Sequence, residues 1–125
     1  MVSSGKVVLL MGAPLRKEPA TQILVIMVTV ANQKEAVKIG TVVVKARLAA
    51  CVNIIPAIQS IYRWKGKILK SQEFLLIFKS TKARYVLLEK SIKAIHTYDT
   101  PEIIALPVEK GIPQYIRWVC SETNS

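Results

Sequence analysis

The feature that most constrains the fold is a pair of long, apolar, β-rich segments at residues 50–62 and 68–79, joined by a short link that contains Gly66. Their β-branched residues favour strands, and a glycine in so short a link is typical of a hairpin. Pro56 interrupts the first segment, and because proline cannot donate to a sheet ladder, we expect a bulge, bend or edge there. One layer of helices cannot cover a hairpin this long, so the sequence predicts that part of it reaches a neighbouring subunit.

The first half of the chain reads as a strand followed by a helix. Residues 22–30, QILVIMVTV, are apolar almost throughout, as in a strand that is central in a sheet or covered on both faces. Asn32 can cap a helix at about residues 33–47, and Glu35 can reach back to complete a capping box.

In the second half a helix again follows a strand, here the second strand of the hairpin. Thr81 can cap a second helix, which ends by about residues 97–99 because Pro101 disfavours the helical conformation before it. Residues 102–108 then predict a short strand, and Pro113 suits the first turn of a terminal helix. The second helix carries an apolar stripe at spacings of three and four residues: Tyr85, Leu88, Ile92 and Ile95.

This order predicts an α+β fold of the ferredoxin-like βαββαβ type, with a long hairpin between the second and third strands and a C-terminal helix. The 125 residues suit one domain, which we place at residues 21–125. Residues 1–20 are interpreted as an extension outside it, either a flexible segment or a targeting remnant. Helices on one face of the sheet leave the other face to be covered by a helix, a ligand or another subunit.

Several classes of function lack their sequence signals. No glycine-rich phosphate loop and no nucleophile motif is present, so we do not expect an enzyme. The formal charge of +10 is spread along the chain, which favours a basic surface over nucleic-acid binding. No apolar stretch is long enough for a membrane span. Cys51 and Cys120 form no disulfide framework, so a reducing compartment, the cytoplasm, is expected, with organellar targeting left open.

The chain's only histidine, His96, lies in the segment KAIHTYDTPE beside two carboxylates. Imidazole suits copper or zinc, but a histidine in the last turn of the second helix would also be stabilised by the helix dipole without a metal. Both interpretations stay open at this point. Tyr62 and Trp64 at the hairpin tip, and Trp118, are either interface anchors or covers for their own sheet; we favour the interface.

The strings LAACVNIIPAIQSIYRWKGKI, EFLLIFKS and HTYDTPEIIALPV, followed by YIRWV, resemble the CutA divalent-ion tolerance family over about residues 22–120. The resemblance implies a ferredoxin-like subunit in a tight homotrimer, with hairpin strands that extend across neighbouring subunits. It also implies binding of copper or another divalent cation, no organic cofactor and no catalysed reaction. In architecture the family resembles the trimeric PII signalling proteins, which bind small ligands between subunits.

Only some of the functional residues of the CutA family are present in this chain. Its bacterial copper ligands are a first-strand cysteine and two adjacent histidines, and here these positions hold Val28, Ile95 and His96. His96 is therefore the one predicted metal contact. The residues of the inter-subunit cleft match better, and they suit a metal ion, a metal complex or a small anion. This predicted cleft set is Tyr62, Trp64, Lys67, Glu73, Lys79, His96, Tyr98 and Glu102.

The alternative is a stable trimeric scaffold or signalling module without a metal site. In that interpretation the same charged and aromatic residues hold the subunits together.

Overall fold

The computed structural model describes residues 22–124 and contains one four-stranded antiparallel sheet in the order β2-β3-β1-β4. The strands are β1 (Ile23–Val30), β2 (Cys51–Trp64), β3 (Lys67–Thr81) and β4 (Ile103–Pro107), and the helices are α1 (Gln33–Lys45), α2 (Tyr85–Ile95) and α3 (Pro113–Glu122). The predicted α+β order with its terminal helix is confirmed. The predicted extension at residues 1–20 lies outside the described residues. None of the described helices is long and apolar enough to cross a bilayer.

Helix α1 begins where its cap predicts. The side-chain oxygen of Asn32 accepts the N–H of Glu35 at 2.9 Å. The predicted reciprocal bond is replaced, because the Glu35 carboxylate instead accepts two bonds from Thr97, before β4. The helix ends at Lys45, earlier than the predicted 47, because Arg47 has a left-handed φ of 60° and the chain turns back there.

Helix α2 starts later than predicted. Thr81 makes no side-chain cap; it is the last residue of β3, and a single 3-10 turn, Lys82–Arg84, separates it from the helix. The apolar stripe is confirmed at Leu88 and Ile92, which are fully buried. His96 was predicted in the last helical turn, but it is the C-cap residue with an extended ψ of 143°.

The β2–β3 hairpin turns through only two residues, Lys65 and Gly66, whose φ angles of 52° and 80° are both positive. Such a turn matches the twist of the flanking strands, so both strands continue up to it and are longer than predicted. The predicted irregularity at Pro56 is confirmed as a bulge: the register shifts between Ile55 and Ile58, and Ala57 has a φ of 58°.

The core lies between one face of the sheet and helices α1 and α2. Its fully buried members include Ile26, Leu76 and Phe78 from the sheet, together with Ile39, Val43, Leu88 and Ile92 from the helices. On the opposite face, which we call the open face, α3 covers only the end near Ile23 through Val119. Farther along that face Ile104 and Leu106 are about half exposed, which leaves apolar surface without cover among the described residues.

Gly40 lies where α1 packs tightly against β2. A Cβ atom added at this glycine would lie 3.0 Å from Cγ1 of Val52. Alanine normally favours a helix over glycine by about 1 kcal/mol, but overpacking costs about 1–3 kcal/mol. We therefore expect Gly40→Ala to lower the free energy of unfolding.

The measurement is urea unfolding at fixed protomer concentration, for Gly40→Ala, Val52→Ala and the double variant. The double variant should lose less than the sum of the single losses, because the shorter side chain vacates the space that the new methyl group needs. A Gly40→Ala protein as stable as the wild type would contradict the close packing.

Candidate functional site

A cavity of about 650 Å³, which we call the hairpin cleft, lies between the outer part of the β2–β3 hairpin and the segment that leads from α2 to β4. Five residues of the predicted cleft set line it: Tyr62, Trp64, Glu73, Tyr98 and Glu102. Asp99, one of the two carboxylates beside His96 but not a member of the predicted cleft set, also lines it. Its position next to Tyr98 in KAIHTYDTPE was the available signal.

The pairing of the outer hairpin decides which side chains share a face with Glu73. From Ile58, which pairs with Glu73, to Trp64 the register of β2 against β3 is regular. Because paired residues share a face and side chains alternate along a strand, Tyr62 and Trp64 lie on the same side as Glu73. The bulge between Ile55 and Ile58 adds one residue to β2 and so separates this outer register from the register at the base of the hairpin.

Glu73 is the buried acid of the hairpin cleft. Glu73 is only 7% exposed, and its Oε2 accepts a hydrogen bond from the hydroxyl of Tyr98 at 2.6 Å. Burial, and then the bond to the Glu73 carboxylate, raise the pKa of Tyr98 above its usual range, so the phenol stays a donor. Among residues 22–124, no hydrogen bond reaches the other oxygen, Oε1.

His96 lies behind this pair with a fully buried ring. Its Nδ1 accepts the N–H of Tyr98 at 3.1 Å, so the ring proton lies on Nε2, which donates to the carbonyl of Thr29 at 2.8 Å. The two rings also contact each other, with centroids 4.8 Å apart. Both ring nitrogens therefore have partners inside the subunit, and a metal ion at His96 would have to displace one of them.

A second contact fixes the same segment. The Glu35 carboxylate, at the start of α1, accepts both the N–H and the hydroxyl of Thr97 at 3.0 Å. Together with the His96 bonds, this ties the segment before β4 to two other elements. Tyr98 and Asp99, which follow directly, are thus held at the wall of the hairpin cleft.

The hairpin cleft is acidic in a basic protein. Three of the chain's eight acidic residues line it, Glu73, Asp99 and Glu102, while no described Lys or Arg does. Apart from the indole N–H of Trp64, the other polar groups on its wall are hydroxyls and an amide, so the ligand atoms it offers to a cation are oxygens. No three His, Cys, Asp or Glu side chains within residues 22–124 lie close enough together to form a preassembled metal site.

The remaining members of the predicted cleft set lie elsewhere. Lys67 pairs with Trp64 beside the hairpin turn and is not on the cavity wall. The ammonium group of Lys79 donates to Asn53 and lies 3.9 Å from the thiol of Cys51, toward the end of the sheet covered by α3. The structure therefore separates the predicted cleft set into five wall residues and three that lie off it.

Comparison with known proteins agrees with this architecture. The sequence model for the CutA1 divalent ion tolerance protein matches residues 24–122. The chain belongs to this family. It is 42% identical over 100 residues to the divalent-cation tolerance protein CutA of Thermus thermophilus, covering 80% of this chain and 97% of the relative. It is 47% identical over 98 residues to the mouse protein CutA, covering 78% of this chain and 55% of that longer protein.

Solved CutA structures show the same fold. The Thermus thermophilus protein, Cut A1, superposes with a TM-score of 0.80 at 41% identity, covering 82% of this chain and 99% of that one. CutA1 from Oryza sativa gives a TM-score of 0.81 at 37% identity, with 86% and 98% covered. A relative from Arabidopsis thaliana, 40% identical over 82% of this chain and 56% of its own length, is named as chloroplastic.

The Glu73–Tyr98 bond supplies a test of the cleft wall. Tyr98→Phe keeps the ring beside His96 but leaves the buried carboxylate without its donor, which costs about 1–3 kcal/mol. We expect a loss of this size in urea unfolding at fixed protomer concentration. Tyr98→Phe combined with Glu73→Leu should recover part of it, because the unpaired carboxylate is then gone.

The raised pKa of Tyr98 fixes the sign of the pH dependence. The contribution of the Tyr98–Glu73 bond to folding stability is complete below the unfolded tyrosine pKa of about 10. It is lost as the pH rises through the higher pKa of the folded state. The stability difference between wild type and Tyr98→Phe should therefore narrow above about pH 10. A stability difference that stays constant across that pH range would contradict the hydrogen bond between the Tyr98 phenol and Glu73.

Proposed function

We propose that this protein is a homotrimeric divalent-cation tolerance protein, not an enzyme, which binds a metal ion or small ligand in the hairpin cleft at a subunit boundary. The observation that carries the proposal is the convergence of Glu73, Asp99 and Glu102 on one cavity beside an otherwise uncovered hairpin. The cytoplasm is the proposed location. The chloroplastic names of plant relatives make an organelle the alternative.

The exposed apolar side chains support assembly. Ile61 and Ile68 near the hairpin tip are 66% and 58% exposed, and Trp64 is 42% exposed. Together with Ile104 and Leu106 on the open face, they are more apolar surface than a small monomer usually leaves in water. The subunit number of three follows from the family resemblance.

Two metal chemistries fit different parts of the site. The carboxylates and hydroxyls of the hairpin cleft suit a hard divalent cation such as Mn²⁺. Copper favours imidazole, and His96 is the proposed contact, but Val28 and Ile95 at the other two family positions offer no ligand atom. Val28 is also fully buried in the core.

Isothermal titration separates the two metal sites. Relative to the wild type, Asp99→Asn should bind Mn²⁺ about 5-fold more weakly, because one charge contact worth roughly 1 kcal/mol is lost. Glu109→Gln, an exposed acid outside the hairpin cleft, is the matched control and should bind as the wild type does.

The same titration with Cu²⁺ tests His96. Because His96 also helps to position Tyr98 and Asp99, a loss of Cu²⁺ affinity in His96→Ala that exceeds the accompanying loss of Mn²⁺ affinity would support the imidazole as the copper contact. Equal Cu²⁺ affinity in both proteins would remove His96 from the metal site. Absence of binding for both ions would contradict the metal-binding proposal.

The second candidate is a trimeric scaffold, favoured by the exposed ring of Trp64 at the hairpin tip. Trp64→Ala should shift the protein toward monomers in sedimentation velocity, because truncation of a buried interface aromatic commonly costs 2 kcal/mol or more, on the order of 30-fold in association. Phe in place of Trp64 should retain most of the assembly. Trimers of undiminished stability in Trp64→Ala would exclude this residue as an interface anchor.

A further inference from the structure

We propose that the hairpin cleft binds a small organic cation with more than one ammonium group, of the linear aliphatic polyamine class. This rests on the proposed function, because it names the ligand class of the same cavity. The volume of about 650 Å³ lies within the range of small-molecule sites, about 300–1,000 Å³. A single metal ion would fill only a small part of this space.

Charge is the first observation that favours an organic cation. The wall contains three carboxylates and no described basic side chain, so an anion would be repelled. Glu73 is more than nine-tenths buried, and its Oε1 has no hydrogen-bond partner within residues 22–124. A buried carboxylate oxygen without a donor is costly, and an ammonium group of a ligand would supply that donor.

The aromatic wall is a second, independent observation. Tyr62, Trp64 and Tyr98 line the hairpin cleft beside the carboxylates, and ring faces attract ammonium groups. The hydroxyl of Tyr62 forms a 2.8 Å bond with Ser71, and that of Tyr98 is held by Glu73, so two of the rings are fixed in place. The ammonium of Lys65 lies 5.8 Å from the Trp64 ring, a contact of this same type within the protein.

A polyamine would contact both the carboxylates and the aromatic rings of the cleft wall, whereas a metal ion would contact only the carboxylates. Ammonium groups would pair with the carboxylates of Asp99 and Glu73, and the methylene groups between them would cover the tyrosine and tryptophan rings. A metal ion would engage the oxygen atoms and leave the rings unused. The net charge of +10 repels polycations overall, so any polyamine affinity must come from a local acidic site.

The test is isothermal titration of the full chain with spermidine, monitored in parallel by tryptophan fluorescence. Triethylene glycol, a neutral chain with the same number of atoms between its terminal groups, is the control ligand. Asp99→Asn and Glu73→Gln should each weaken spermidine binding by roughly 5-fold or more. Glu109→Gln, outside the hairpin cleft, should bind as the wild type does.

The outcomes separate this inference from the metal proposal. Mn²⁺ binding without spermidine binding at millimolar concentration overturns the inference and leaves the metal proposal standing. Spermidine binding that is weakened by the two cleft variants supports the inference, even if no metal binds. Equal spermidine binding in all variants, or equal binding of triethylene glycol, overturns it. If Asp99→Asn loses trimers, Glu73→Gln decides: undiminished spermidine binding in that variant overturns the inference.

Discussion

The register of the β2–β3 hairpin is the constraint on which the hairpin cleft depends. The two-residue turn sets a pairing that stays regular from Trp64 to Ile58, so the tip residues Tyr62 and Trp64 share a face with Glu73. The bulge at Pro56 lets this pairing coexist with the pairing at the base of the hairpin, which differs by one residue. Without the bulge one of the two pairings would have to slip by a residue, and its side chains would change faces.

The opposite wall depends on a network of buried polar groups. Glu35 receives Thr97, His96 bridges Thr29 and Tyr98, and Tyr98 donates to Glu73. Apart from the bond between His96 and Tyr98, these bonds join residues far apart in sequence, so the network ties the start of α1, the end of β1 and the middle of β3 to one short segment. The only histidine is a central member of this network, which gives it a structural role independent of any metal.

Element types and order were predictable because they follow from local patterns. The apolar stripe of α2, the Asn32 cap and the Pro56 irregularity each rest on a few neighbouring residues. The site was harder to predict, because from the sequence Glu35 could be interpreted only as a capping residue until its long-range partner Thr97 was known. Asp99 was left out of the cleft set and Lys79 included in it, because sequence spacing does not say which distant residues come close together: Lys79 shares a face with Glu73 but lies toward the other end of β3.

The contrast between whole-chain charge and local charge bears on selectivity. A chain with a net charge of +10 attracts anions over most of its surface, where a screened potential extends about 10 Å at 0.1 M salt. Within the hairpin cleft the nearest charges are three carboxylates, one of them largely removed from solvent, and these dominate at short range. Cations would therefore be disfavoured in the approach and favoured only on contact. Such a site would select a ligand by local geometry rather than by long-range attraction.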